Sequence, residues 1–316
     1  MSIVFELFKI VVGFILLIKG ADFFVDGASA VAKKLGVPEL VIGLTIVAFG
    51  TSAPEAAVSL SAALRGNNGI SIGNVIGSNI MNVLLILGLT AIITSLKVKR
   101  ATVRVDIPVV IGSTILMVFW GLVGGKLTRL TGIIFLLILI GYMVYLFWYS
   151  KHAEDEDEGD EIKDLRTWTI PLYLLGGLAA IIFGSDVTVD GATEVAKVFG
   201  VSDRLIGLTI VAFGTSLPEL VTSVTAARKG SADIAIGNIV GSNLFNILFI
   251  LGMTSVMIDL PYMAQGANFL VDGFVALYAI FLLFILVVKN KELGRKGGIL
   301  MLISYAGYFA YLLINK

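Results

Sequence analysis

Apolar segments of about twenty residues recur along almost the whole of this chain, and they constrain its fold more than any other feature. Of the 316 residues, 57% are hydrophobic and 15% are charged, and the mean hydropathy is +0.97. A soluble domain would carry about a quarter charged residues. In a bilayer, segments of this kind must be helices or closed barrel strands. Because barrel strands are short and alternate apolar with polar residues, the long segments predict an all-α polytopic membrane protein.

The apolar pattern predicts ten transmembrane helices, at about residues 3–27, 38–65, 70–95, 105–123, 128–149, 170–189, 202–227, 233–257, 268–288 and 298–314. One extended hydrophilic stretch, from about Lys151 to Arg166, separates the first five from the last five. We therefore divide the chain into residues 1–150, an acidic linker of residues 151–167, and residues 168–316. The N-terminus lacks the basic segment and cleavage site of a signal peptide, so the first helix is expected to be retained.

The two halves of the chain repeat one another at an offset of 164 residues. Ile42 to Glu55 reads IGLTIVAFGTSAPE, and Ile206 to Glu219 reads IGLTIVAFGTSLPE, with one difference in fourteen positions. At the same offset, GNVIGSNIMN at residues 73–82 matches GNIVGSNLFN at residues 237–246. The gapless match indicates an internal duplication.

Each copy has five predicted spans, so the second copy must enter the membrane from the opposite side. The distribution of the 23 lysines and arginines tests this arrangement, because cytoplasmic loops carry an excess of both. Most of them fall on one side if both termini are outside and the acidic linker is cytoplasmic. The sequence thus predicts two inverted five-helix repeats, an architecture of secondary transporters that bind substrate at the repeat interface.

The GTS-x-PE motifs place helix breakers inside the second and seventh spans. Pro54 and Pro218 each remove a backbone donor and clash with the carbonyl four residues earlier, at Gly50 and Gly214. Such backbone is tolerated at membrane depth only where it is packed or lines a cavity. The freed carbonyls and nearby hydroxyls and carboxylates form an oxygen-rich set of the kind that hard cations such as Ca²⁺ prefer.

Glu55 and Glu219 are the principal candidate ligands, because an ionised carboxylate deep in a bilayer costs at least about 2.5–3.5 kcal/mol. Protonated or purely structural glutamates are the alternative. In the third and eighth spans, Ser78 with Asn82 and Ser242 with Asn246 share one helix face at i and i+4. Four further asparagines fall off that face and are predicted to hydrogen bond between helices: Asn74, Asn79, Asn238 and Asn243.

These doubled motifs resemble those of the cation/calcium exchanger superfamily, specifically its prokaryotic sodium/calcium exchangers. The resemblance covers both copies and implies an antiporter that exchanges Na⁺ for Ca²⁺ by alternating access, with the first and sixth helices sliding across the others. It implies that Glu55 and Glu219 bind Ca²⁺, aided by the backbone carbonyls of Thr51 and Thr215. The implied Na⁺ sites use Ala48, Thr51, Ser52 and Ser78 toward one side, Ala212, Thr215, Ser216 and Ser242 toward the other, and Asn82 and Asn246 in the middle.

The sequence gives weaker indications of other functions. Asparagine at 82 and 246 makes potassium coupling less expected, and no glutamate follows either GN pair as in proton-coupled relatives, although H⁺- or K⁺-coupled exchange stays an alternative. A cation channel would need no inverted repeat. No nucleotide-binding or zinc-binding motif is present, so we expect no enzyme activity and no cofactor. The expected partners are Na⁺, Ca²⁺ and the lipid bilayer of the cell membrane, with no nucleic acid and no obligatory protein partner.

Two charged features are predicted to lie outside the site. The acidic run at residues 154–161 is typical of a solvated linker and lacks the ligand spacing of a calcium-binding loop. Asp22, Asp26, Asp186 and Asp190 are expected at helix ends near the membrane interface, with Asp22 in reach of Lys19 at i,i+3.

Overall fold

A computed structural model describes residues 3–152, 165–199, 212–264 and 267–314 of the chain. Its helices are α1 (Ile3–Leu35), α2 (Glu39–Thr51), α3 (Ala53–Leu64), α4 (Asn68–Ile93), α5 (Thr102–Gly124), α6 (Arg129–His152), α7 (Ile170–Val198), α8 (Ala212–Thr215), α9 (Leu217–Arg228), α10 (Ala232–Met257), α11 (Leu270–Val288) and α12 (Arg295–Ile314). Its strands are β1 (Leu96–Lys97), β2 (Lys126–Leu127), β3 (Leu260–Pro261), β4 (Met263–Ala264), β5 (Ala267–Asn268) and β6 (Glu292–Leu293). The chain is therefore an all-α membrane protein with short strand pairs between helix ends.

Seven of the described helices are long and apolar enough to cross a membrane: α4, α5, α6, α7, α10, α11 and α12. The pair α2 and α3 forms an eighth candidate span that is bent by 47°. Helix α1 has 33 residues and carries charged side chains along its length. Most of the acidic linker (residues 153–164) and residues 202–211 of the seventh predicted span lie outside the described residues.

The predicted interruptions at the two GTS-x-PE motifs are present. Helix α2 ends at Thr51 and α3 begins at Ala53, and Ser52 between them has a ψ of 4° that turns the chain. The second motif repeats this geometry, with a ψ of 3° at the residue between α8 and α9. The Gly214 carbonyl, predicted to be freed by Pro218, accepts a hydrogen bond from the Ser185 hydroxyl at 2.7 Å.

Helices α4 and α10 form the centre of the molecule. In α10, 89% of the most apolar stretch is buried, against 11% in α12 at the periphery. Each of the two central helices contains a π-helical segment, at Met81–Leu87 and Phe245–Leu251. Such segments widen a helix locally and occur frequently at functional sites.

Helices α1 and α7 pack antiparallel with their backbones in close contact along two rows of glycines. The rows are Gly13, Gly20 and Gly27 in α1 and Gly177, Gly184 and Gly191 in α7, each spaced by seven residues. A Cβ at Gly177 would lie 2.6 Å from the backbone nitrogen of Phe24, and one at Gly184 would lie 2.9 Å from the carbonyl oxygen of Gly13. Because no side chain separates the backbones, α1 and α7 form one paired unit.

Two strand pairs show that α4 and α10 end at opposite sides of the molecule. Strand β1, which follows α4, pairs with β6 between α11 and α12. Strand β3, which follows α10, pairs with β2 between α5 and α6. Since α5 runs from the β1 end to the β2 end, the central helices α4 and α10 are antiparallel.

Charged side chains toward both ends of α1 tie this helix to others, although Asp22 and Asp26 lie within it, nine or more residues before its last residue Leu35. Lys229, just after α9, lies 2.6 Å from Asp26 Oδ1 and 3.5 Å from Asp22 Oδ1. The predicted pairing of Asp22 with Lys19 is therefore wrong, because a lysine from a distant part of the chain takes that place. At the other end of α1, Lys9 pairs with Asp190 of α7.

Candidate cation site

Glu55 and Glu219 occupy equivalent positions in the first turns of α3 and α9, and both residues are fully buried. Proline at the second position of each helix suits a helix start, where its missing N–H has no intrahelical role. The broken spans thus carry two carboxylates to the interior at helix N-termini, which stabilise negative charge by about 0.3–1 kcal/mol.

Hydroxyl groups connect the two motifs across the interface. The Ser52 hydroxyl donates to Glu219 Oε1 at 3.0 Å, although the two residues belong to different halves of the chain. In the opposite sense, the hydroxyls of Ser78 and Ser216 lie 3.5 Å apart and face the Glu55 carboxylate. The structure therefore brings residues of both motifs into one place.

Six buried oxygen atoms of the predicted ligands accept no hydrogen bond of normal length from the described residues. They are Oε1 and Oε2 of Glu55, Oε2 of Glu219, Oδ1 of Asn82, Oδ1 of Asn246 and Oγ of Ser242. A buried polar group without a partner costs about 1–3 kcal/mol, and more if it is charged. A set of acceptor oxygens without donors fits cations, because each oxygen can become a ligand.

The remaining predicted ligands lie in the same short segments. The fully buried Thr51 hydroxyl donates to Asn238 Oδ1 at 2.9 Å. The Ala48 carbonyl accepts the backbone N–H of Ser52 at 3.1 Å. Thr215 ends α8 and is half-buried, whereas Ala212 begins α8 and its side chain lies outside the described residues.

Two of the asparagines predicted to bond between helices hold the glutamate segments in place. Asn238 donates to the backbone carbonyl of Glu219 at 3.3 Å and to the Ser223 hydroxyl at 2.9 Å. Asn74 makes the equivalent pair of bonds, to the Glu55 carbonyl at 3.4 Å and to Ser59 at 3.0 Å. The predicted interhelical hydrogen bonds of Asn74 and Asn238 are thus confirmed.

Ser59 and Ser223 contribute to the site without having been singled out from the sequence. They are related by the same offset of 164 and lie four residues after Glu55 and Glu219, one helical turn farther along α3 and α9. That spacing and repetition was the signal that could have identified them.

Among the described residues, no three histidine or acidic side chains cluster in a way that could hold a metal ion. The site instead combines two carboxylates with neutral hydroxyl, amide and carbonyl oxygens.

The chain is similar to known proteins in sequence and in fold. A sequence profile described as sodium/calcium exchanger protein matches residues 5–148 and 169–314. The chain belongs to the sodium/calcium exchanger family. It shares 34% identity with the sodium/calcium exchanger MaX1 of Methanosarcina acetivorans, across 96% of this chain and 97% of that protein. It shares 39% identity with a protein of Alkalimonas amylolytica classed provisionally as antiporter CaxA, across 97% and 98% of the two chains.

Solved structures of the sodium-calcium exchanger NCX_Mj have the same fold as this family member. The structure obtained without Na⁺ and Ca²⁺ superimposes with a TM-score of 0.84 at 34% identity, covering 98% of this chain and 100% of that one. These relatives are transport proteins, in keeping with the apolar helices and the buried oxygen site.

Proposed function

We propose that this chain is a secondary antiporter that exchanges Na⁺ for Ca²⁺ across a membrane. The observation that carries the proposal is the meeting of two fully buried glutamates, one from each motif, among oxygen atoms that accept no hydrogen bond from the described residues. The family membership and the names of the relatives support the choice of ions. Na⁺ and Ca²⁺ are substrates here, and the chemistry needs no resident cofactor.

The ion ligands are proposed from the positions that match the family motifs. Ca²⁺ is bound by Glu55 and Glu219 with the carbonyls of Thr51 and Thr215. Na⁺ is bound by two flanking sets of ligands, and the side-chain amides of Asn82 and Asn246 face the middle. The flanking sets are Ala48, Thr51, Ser52 and Ser78, and Ala212, Thr215, Ser216 and Ser242.

Exchange follows from the charge of this site. Two carboxylates neutralise either one Ca²⁺ or two Na⁺, so the two loads compete for the same oxygens. An empty site leaves two like charges in a medium of low dielectric constant, where their repulsion is strong. Moving the empty site between the two sides is therefore disfavoured, and one ion must be bound before another can be returned.

We further propose that the chain has ten spans in two inverted repeats, with both termini outside the cell membrane and residues 151–167 as a cytoplasmic linker between residues 1–150 and 168–316. Helix bounds support this, because Ala53–Leu64 and Asn68–Ile93 recur at an offset of 164 as Leu217–Arg228 and Ala232–Met257. The antiparallel arrangement of α4 and α10 agrees with inversion.

Alternating access is proposed to involve movement of the α1–α7 pair across the other helices. The close backbone contact along the rows of glycines supports movement of α1 and α7 as one rigid body. The alternative is an exchanger that couples calcium to H⁺ or K⁺. The neutral amides of Asn82 and Asn246 favour Na⁺, because they leave the site with two negative charges only.

Calcium flux into proteoliposomes under imposed Na⁺, K⁺ or H⁺ gradients tests the proposal. We expect uptake that depends on internal Na⁺ and is abolished in Glu55→Gln and Glu219→Gln. Glu292→Gln, an exposed glutamate in β6, is the matched control and should transport normally. Uptake that is indifferent to the Na⁺ gradient would refute sodium coupling, and full activity in both site variants would refute the site.

A further inference from the structure

Four buried asparagines, Asn79 and Asn82 of α4 with Asn243 and Asn246 of α10, form a symmetric cluster where the central helices cross. Asn79 Nδ2 donates to the Asn243 backbone carbonyl at 3.3 Å, and Asn243 Nδ2 donates to the Asn79 carbonyl at 3.3 Å. Asn82 Nδ2 donates to Asn243 Oδ1 at 3.1 Å, and Asn246 Nδ2 donates to Asn79 Oδ1 at 3.0 Å.

The orientation of all four side chains follows from the two backbone carbonyls. A carbonyl oxygen can only accept, so Asn79 and Asn243 must each turn their Nδ2 toward it. Their Oδ1 atoms then face Asn82 and Asn246, which must donate hydrogen bonds from Nδ2. Oδ1 of Asn82 and Oδ1 of Asn246 are left pointing away from the cluster, and both are buried without a hydrogen-bond partner in the part of the chain that the structure describes.

We propose that Asn79 and Asn243 are positioning residues that make Asn82 and Asn246 present oxygen, and never N–H, to a bound cation. The inference rests on the proposed function and extends it, because it explains how a neutral amide becomes a dependable ligand. The two ends of an amide side chain are similar in shape, and a flipped amide would turn its hydrogens toward the ion. Fixing the flip removes that repulsive arrangement.

The hydrogen bonds that orient Asn82 and Asn246 connect the two halves of the protein. Asn243 of α10 orients Asn82 of α4, and Asn79 of α4 orients Asn246 of α10. Asn82 and Asn246 stand in the π-helical segments, whereas Asn79 and Asn243 precede them in regular α-helix. Each amide ligand therefore depends on oxygens supplied by the opposite helix, and Asn246 Nδ2 also donates to Ser78 Oγ of α4 at 3.3 Å.

Double-mutant cycles on Ca²⁺ affinity, measured by calorimetry on the purified protein, test this pairing. We expect Asn243→Ala alone to weaken Ca²⁺ binding about 10-fold, as is usual when the partner of a ligand is lost. In an Asn82→Ala background the same substitution should change the affinity by less than about 2-fold, because the residue through which it acts is gone. Asn79→Ala should keep its full effect in that background and lose it in Asn246→Ala.

The outcomes separate the positioning role from general damage to the fold. Additive effects in all four pairs, or coupling of Asn243 to Asn246 as strong as to Asn82, would overturn the proposal. Asn243→Leu, which is branched at Cγ like asparagine but has no polar atoms, repeats the test if the alanine variant does not fold. Asn68→Ala, at the half-buried first residue of α4, is the asparagine control and should bind Ca²⁺ normally. The double-mutant cycles measure Ca²⁺ binding and not transport. If Asn243 couples to Asn82 and Asn79 couples to Asn246 but Na⁺-driven flux is absent, the exchange function is contradicted and the positioning role is not.

Discussion

At the scale of single residues, the site is held by hydroxyl and amide groups that reach across the interface. Ser52 illustrates this, since its hydroxyl binds the carboxylate of Glu219, a residue of the other copy, and no solvent reaches either group. A hydrogen bond to a charged acceptor is worth about 1.5–3 kcal/mol, more than a bond between neutral groups. The position of Glu219 Oε1 therefore depends in part on the Ser52 hydroxyl.

Ser52→Ala is expected to weaken Ca²⁺ binding about 10-fold, because the Glu219 carboxylate loses the donor that orients it. Ca²⁺ affinity of the purified protein is the measurement. Ser61→Ala, which removes an exposed hydroxyl from the same helix α3, should have no effect. Equal affinities in the two variants would show that Ser52 does not position the carboxylate.

At the scale of helices, the break in the second GTS-x-PE motif needs a partner for the carbonyl that Pro218 frees. The Ser185 hydroxyl of α7 donates a hydrogen bond to this carbonyl, at Gly214. Ser185→Ala is expected to lower the free energy of unfolding by about 1–3 kcal/mol, because a buried carbonyl loses its donor. Thermal unfolding in detergent measures the change. Ser113→Ala is the buried control, since the Ser113 hydroxyl donates to the Val109 carbonyl of its own helix and its loss should cost less.

Two neighbouring glycines of α7 test whether α1 and α7 pack backbone to backbone. A Cβ at Gly177 would press into the backbone of α1, whereas nothing lies within 4 Å of a Cβ at Gly176. Gly177→Ala should destabilise the protein by about 1–3 kcal/mol through overpacking. Gly176→Ala should be neutral or stabilising by up to about 1 kcal/mol, since alanine favours helix. Similar unfolding temperatures for the two variants would mean that the helices are not packed backbone to backbone.

Local chemistry explains which of these elements the sequence could predict. Pro54 and Pro218 act on residues a turn away, so the breaks and the freed Gly214 carbonyl were predictable. The spacing of seven between Gly13, Gly20 and Gly27 was also readable, and it recurs in the second copy. The π-helical segments and the Ser185 donor were not, because both depend on which helices pack together. For the same reason the sequence pointed Asp22 to the nearby Lys19 and missed a lysine 207 positions away.

At the scale of the whole molecule, the α1–α7 pair is attached at one end through Lys229. Its ammonium group binds Asp26 of α1 at 2.6 Å and the Asp22 carbonyl at 2.8 Å, with side chains 31% and 18% exposed for Lys229 and Asp26. Ser29 of α1 is buried nearby, 3.5 Å from the hydroxyl of Ser231. A pair that moves relative to the other helices must separate this contact, and Ser29 then becomes accessible.

Lys229→Met is therefore expected to raise the exposure of position 29. A partly exposed ion pair contributes about 0.2–1 kcal/mol, so the labelling rate of Ser29→Cys by a water-soluble thiol reagent should rise by about 1.5- to 5-fold. The natural chain contains no cysteine, so the introduced thiol is the sole reporter. Lys126→Met breaks an ion pair with Asp259 that does not involve α1, and it should leave the labelling rate unchanged. If both lysine variants label at the rate of the parent protein, the Lys229 ion pair does not restrain the α1–α7 pair.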